Sequence, residues 1–85
     1  MEQELINKID ERVGMAVAKY PSESDNTFSA LENALCEETG EVAHAINHDE
    51  GWTRIQYEIE DAMAVLTRIW GKVADLRYIE ERRIK

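Results

Sequence analysis

Apolar residues return every three or four positions along nearly the whole chain, and two short polar stretches interrupt them. Residues 2–20 carry Leu5, Ile9, Val13, Ala16 or Val17, and Tyr20 at helical spacing, and Pro21 closes that segment. A polar loop follows from Pro21 to Asn26. Asp25, Asn26, Thr27 and Ser29 are all candidate N-caps for the next helix, and Ser29-Ala30-Leu31-Glu32 has capping-box spacing. At 100° per residue, Phe28, Leu31, Leu35, Val42 and Ile46 share one face of a second helix running to about Asn47. His48-Asp49-Glu50-Gly51 reads as a turn.

A third helix is predicted from near Trp52 almost to the end, with Ile55, Ile59, Ala62, Leu66, Ile69 and Val73 as its apolar arc. Gly71 is its weak point, because glycine costs about 1 kcal/mol in a helix interior, and a kink or break is expected there. The charged tail Glu80-Glu81-Arg82-Arg83-Ile84-Lys85 is expected to fray. No strand pattern, repeat or low-complexity linker is visible. The fold class is all-α: a three-helix protomer forming a single domain over residues 1–85.

Acids intrude on both apolar arcs. Glu38 lies within the arc of the second helix and Glu41 at its edge; Glu58 lies at the edge of the third arc and Asp61 further round. All four fall on the same rotational side, so antiparallel packing brings them into one half-buried pocket. Like charges at that separation raise one another's pKa and destabilise the fold unless a counter-charge is present. Oxygen donors in this number suit a hard divalent cation, Mg²⁺ or Mn²⁺, rather than zinc.

Size and charge narrow the setting. At 85 residues a single core is only marginally stabilising, so long amphipathic helices are expected to complete it by oligomerising. A net charge of −8 argues against a nucleic-acid binder and against an anionic membrane surface, although bound cations reverse the sign locally. A lone cysteine, Cys36, excludes an intrachain disulfide and is expected to be a small apolar filler. Met1-Glu2-Gln3-Glu4 is acidic with no apolar segment behind it, and no run reaches membrane-spanning length; a cytoplasmic protein without a signal peptide is expected.

The acids also carry a resemblance. Glu38-x-x-Glu41, sixteen intervening residues, then Glu58-x-x-Asp61 resembles the signature of the MazG-like all-α nucleotide pyrophosphohydrolases. Leu35-Cys36-Glu37-Glu38-Thr39-Gly40-Glu41-Val42-Ala43-His44-Ala45 is similar to the family's "EE-x-GE" helix, and Tyr57-Glu58-Ile59-Glu60-Asp61-Ala62-Met63 to its second acidic helix. The likeness covers about residues 20–70. It implies a helical homodimer or homotetramer whose central bundle is built from such helix pairs. It also implies Mg²⁺, with Mn²⁺ as a substitute, held by Glu38, Glu41, Glu58 and Asp61. The implied reaction converts a nucleoside or deoxynucleoside triphosphate, often a non-canonical one, to the monophosphate and pyrophosphate. Glu41 is preferred over Glu38 as the group that takes the proton of the attacking water. The chain departs from the pattern in one respect: the family's downstream segment of Lys with Asn or Arg, which helps to hold substrate, is not found.

The remaining candidates have ordinary readings beside the functional ones. Arg54, Arg68 and Lys72 share a helical side with Asp61 and would reach phosphate oxygens, yet such residues more often form a solvated face. Trp52 and Trp70 fall with Ile59, Met63 and Leu66, favouring core or subunit packing, with base stacking a lesser option for Trp52. Glu37 and Glu60 point away from the stripes and are expected to be solvated. Glu41-Val42-Ala43-His44 is also a Glu-x-x-His unit, which raises a di-iron carboxylate protein, but the third helix offers no matching histidine. A non-catalytic helical interaction module is the other alternative.

Overall fold

The computed structural model describes residues 2–84, and these form α1 (Glu2–Lys19), a short 3₁₀ turn (Glu23–Asn26), α2 (Phe28–Asn47) and α3 (Trp52–Ile84). There is no strand among the described residues, and the chain is all-helical as its periodicity predicts. α3 is the common wall. α2 packs against one side of it and α1 against another, while no Cα of α1 comes within 8 Å of a Cα of α2 among the described residues.

Local chemistry sets the boundaries. Ala30 N donates to Thr27 Oγ1 at 3.1 Å, so Thr27 caps α2 and the capping-box spacing at Ser29 is not used. Asn26 ties down the preceding loop: its Nδ2 donates to Tyr20 O at 2.9 Å and to Ser22 O at 2.7 Å. After α2, Glu50 N donates to Ala45 O at 3.1 Å and the chain reverses through left-handed Asp49 (φ 50°) and Gly51 (φ 98°). Gly51 is the residue suited to that second value, which a Cβ would strain.

α3 runs without a break through Gly71, contrary to the expected kink. One unfavourable residue inside a 33-residue helix is outweighed by the cooperativity of the turns on either side. The expected arcs are also corrected. Ile59, Leu66 and Val73 on α3 are exposed, as are Phe28 and Ile46 on α2. The side of α3 facing α2 carries Glu58, Ala62 and Val65, which are buried, with Ile69 half-buried. A second side, roughly 130–170° round, carries Glu60 and Ala64 against α1. A one-stripe reading of α3 failed because the helix is covered on two sides, and its most apolar stripe is on neither.

The resulting core is small. Its buried apolar residues are Leu31, Ala45, Ala62, Ala64 and Val65, and no large side chain among the described residues is fully enclosed. Cys36 is exposed rather than a filler, because it lies on the side of α2 that nothing covers. Trp70 and Trp52 are 74% and 87% exposed, so neither belongs to the core, contrary to the core packing expected of them. No described helix is long and apolar enough to cross a membrane.

Candidate metal centre

Glu38 of α2 and Glu58 and Asp61 of α3 each offer a carboxylate oxygen, and these oxygens lie within 4.8 Å of one another. Glu58 sits on the side of α3 that faces α2, only 8% exposed. Asp61, one helical turn on, leans toward the gap between α1 and α2 and is partly solvated. Glu41 stands one turn beyond Glu38, outside the three-oxygen cluster but close enough to act on it.

The electrostatics of this group are unfavourable as they stand. Burial, followed by the charges of Glu41, Asp61 and Glu58, pushes the Glu38 carboxyl up from 4.5 to about 7. Glu58 is also raised, first by burial and next by the neighbouring Glu41 carboxyl; Arg54 opposes the shift. Oε2 of Glu38 and Oε2 of Glu58 are enclosed without any hydrogen-bond partner. Buried carboxylate oxygens are rarely left so.

Two guanidinium groups serve as partial counter-charges. Arg54 Nε lies 3.3 Å from Glu58 Oε1 and 3.8 Å from Glu50 Oε1. Arg12 of α1 reaches across with Nη1 3.4 Å from Asp61 Oδ1 and Nη2 3.6 Å from Glu60 Oε1. Glu60 is 5% exposed, not solvated as its position opposite the arc suggested, because α1 packs over that side of α3. Arg12 and Arg54 do not balance Glu38, Glu41, Glu58, Glu60 and Asp61. An excess of oxygen donors, with Glu38 Oε2, Glu58 Oε2 and Glu60 Oε1 unsatisfied, fits a hard divalent cation.

A cleft of about 490 Å³ opens from this cluster between α1 and α2, with α3 as its floor. Arg12, Glu38 and Asp61 line its acidic end and Ala64 and Val65 its floor, and Glu37, Lys19, Tyr20, Asp25 and Arg68 are among the other lining residues. Of the three basic residues read from the sequence, Arg68 lines the cleft. Arg54 does not, and Lys72 places its ammonium 5.1 Å from the centre of the Phe28 ring. Trp52 also lies outside the cleft lining. His44 stacks on His48 with ring centres 4.0 Å apart and pairs with Glu50 at 3.4 Å, apart from the carboxylate cluster.

Arg12 is the residue that sequence reasoning missed. It lies three residues after Ile9 and four before Ala16, within the apolar stripe of α1, and a cation at such a position was the available signal. No protein-family model, curated protein or solved structure matches this chain.

Proposed function

We propose that this chain is a Mg²⁺-dependent nucleoside triphosphate pyrophosphohydrolase, releasing the monophosphate and pyrophosphate, and that it works as a homodimer or homotetramer. The carrying observation is the meeting of Glu38, Glu58 and Asp61 from two helices, with unpartnered buried oxygens, at one end of a nucleotide-sized cleft. Glu38, Glu58, Asp61 and the adjacent Glu41 would hold the cation. Bound there, Mg²⁺ (or Mn²⁺) neutralises the polyphosphate and lowers the pKa of a coordinated water.

The chain's own groups supply the rest. Arg12, the guanidinium at the acidic end of the cleft, is placed to take phosphate oxygens once a cation relieves Asp61 of its ion pair. Glu41, outside the three-oxygen cluster and exposed, is our choice for the base that accepts the water's proton. The water oxygen bonds to phosphorus as the α–β anhydride bond breaks, and pyrophosphate leaves.

Assembly is supported by α3. Ile59, Leu66, Trp70 and Val73 are exposed, Met63 is half-buried, and the alternating spacing of four and three is that of a coiled-coil seam. The same stripe supports the second reading, a non-catalytic interaction module, in which metal and nucleotides change nothing.

Incubation with canonical, deoxy and oxidised nucleoside triphosphates plus MgCl₂, read as pyrophosphate release, tests the proposal. Pyrophosphate from at least one of them, abolished in Glu58→Gln, is expected. Orthophosphate as the product, or no product from any, rejects it.

A further inference from the structure

We propose that Arg68 holds the far end of the substrate's phosphate chain, the pyrophosphate that leaves, so that the triphosphate lies along α3 with its α-phosphate at the carboxylates. What occupies the carboxylate end rests on the hydrolase reading; the anion site at Arg68 does not. Asp61 and Arg68 both line the cleft, seven residues apart on α3, which is about two turns or about 10 Å at 1.5 Å per residue. Between them α3 lines the cleft with Ala64 and Val65, which carry no polar side chain. A ligand held at the carboxylates and long enough to cross those turns meets a guanidinium next.

Arg68 is half-buried, and its Nη2 donates to Asn26 Oδ1. The amide of Asn26 is itself fixed, because its Nδ2 donates to the carbonyls of Tyr20 and Ser22 at 2.9 and 2.7 Å. The guanidinium is thus aimed by a neutral group. Among the described residues no carboxylate comes within ion-pair distance of it, whereas Arg12 and Arg54 each face two. A half-buried charge that meets only an amide keeps much of its desolvation cost. A neutral acceptor on a ligand would leave that charge unanswered. A phosphate answers it and presents two oxygens to the planar fork.

The other charged lining groups do not reverse the sign at that end. Glu37 directly precedes Glu38 on α2 and so lies at the level of the acids. α1 runs alongside α3 in the same sense, since Arg12 meets Asp61 and Asn26, just past the end of α1, meets Arg68. Lys19 follows Arg12 by the same seven residues that separate Arg68 from Asp61, which puts it at the Arg68 level of the cleft. Asp25 is the acid there, and its Oδ2 already accepts from Ser22 Oγ at 2.7 Å. Two cations against one acid make that end net positive. As the α–β anhydride bond breaks, the bridging oxygen leaves with the pyrophosphate and takes the electron pair, and a fixed guanidinium at the tail stabilises the charge that builds there.

Calorimetric binding of inorganic pyrophosphate and of AMP to the full chain in MgCl₂ tests this, with pyrophosphate release from nucleoside triphosphates measured separately. Pyrophosphate affinity should fall about tenfold in Arg68→Ala, while AMP affinity changes by less than about twofold. Arg68→Lys, which keeps the charge but not the fork, should lose less than Arg68→Ala, and it carries the test should the alanine variant fail to fold. Glu58→Gln should weaken pyrophosphate as well, because one ligand spans both ends. No pyrophosphate binding to the wild type, an unchanged affinity in both Arg68 variants, or an equal loss for AMP overturns the inference. Full pyrophosphate affinity in Glu58→Gln also overturns it, since Arg68 would then hold a separate anion. Arg68-dependent pyrophosphate binding without hydrolysis of any triphosphate would sink the hydrolase reading and keep the anion site; hydrolysis with a pyrophosphate affinity that ignores Arg68 would do the reverse.

Discussion

Arg12 Nη1 stands 3.4 Å from Asp61 Oδ1, so a guanidinium from α1 holds one of the acids of the candidate metal centre. Its Nη2 faces the buried Glu60, and its carbon Cζ lies 5.4 Å from the centre of the Tyr57 ring. Arg12→Ala strands Glu60 without a counter-charge and is expected to destabilise the protein by about 1–3 kcal/mol, less than for a fully buried pair because Arg12 is partly solvated. Arg12→Lys should restore only part of this, since one ammonium cannot span both carboxylates as a guanidinium fork does. Thermal melting in the absence of divalent ions makes the comparison. An unchanged melting temperature in Arg12→Ala would show that the pairs contribute nothing.

The raised Glu38 carboxyl gives a pH dependence with a definite sign. In the unfolded chain this group ionises near 4.5, whereas in the fold it ionises near 7, so between those values the native state holds a proton that the unfolded state has lost. Its contribution to stability is present below 4.5 and is lost as pH rises through 7. Metal-free protein should therefore melt lower at pH 8 than at pH 5, and Glu38→Gln should flatten that slope. Mg²⁺ should oppose the trend by favouring the ionised form, adding about 2.7 kcal/mol at a hundredfold excess over its Kd. A melting temperature at pH 8 that ignores millimolar MgCl₂ would count against the cation site.

The open stripe of α3 predicts association. Leu66→Glu and Trp70→Glu place a charge on Ile59-to-Val73 surface that is otherwise apolar, and each should weaken self-association by at least about tenfold in sedimentation. The wild-type melting temperature should rise with protein concentration, as it does when subunits fold and assemble together. A concentration-independent monomer would reject the oligomer.

Gly71 lies within the continuous α3, and a Cβ built there meets nothing within 4 Å. Gly71→Ala should stabilise the protein by about 0.5–1 kcal/mol, because alanine loses less backbone freedom on entering a helix. A lower melting temperature would mean that a subunit contact uses the open space beside this glycine.

Three helices and their approximate limits were legible because the apolar period of 3.6 residues is strong along the chain. The meeting of Glu38, Glu58 and Asp61 was legible too, from acids recurring at one helical turn on the same rotational side. The partners of those acids were not. Periodicity shows that a helix has an apolar face but not how many neighbours cover it, so the burial of Glu60 under α1 and the exposure of Leu66 were both misread. Asn26 was read only as a candidate cap. Its grip on Arg68 joins residues 42 positions apart, which no local pattern encodes.

Because no Cα of α1 comes within 8 Å of a Cα of α2 among the described residues, the two walls of the cleft are joined through their shared floor and through the loop that carries Asp25 and Asn26. The ion pair of Arg12 with Asp61 is one of two that tie α1 to α3, the other being with the buried Glu60. Whatever draws Asp61 away leaves the guanidinium facing Glu60 alone, so α1 stays anchored while one edge of the fork turns to the cleft.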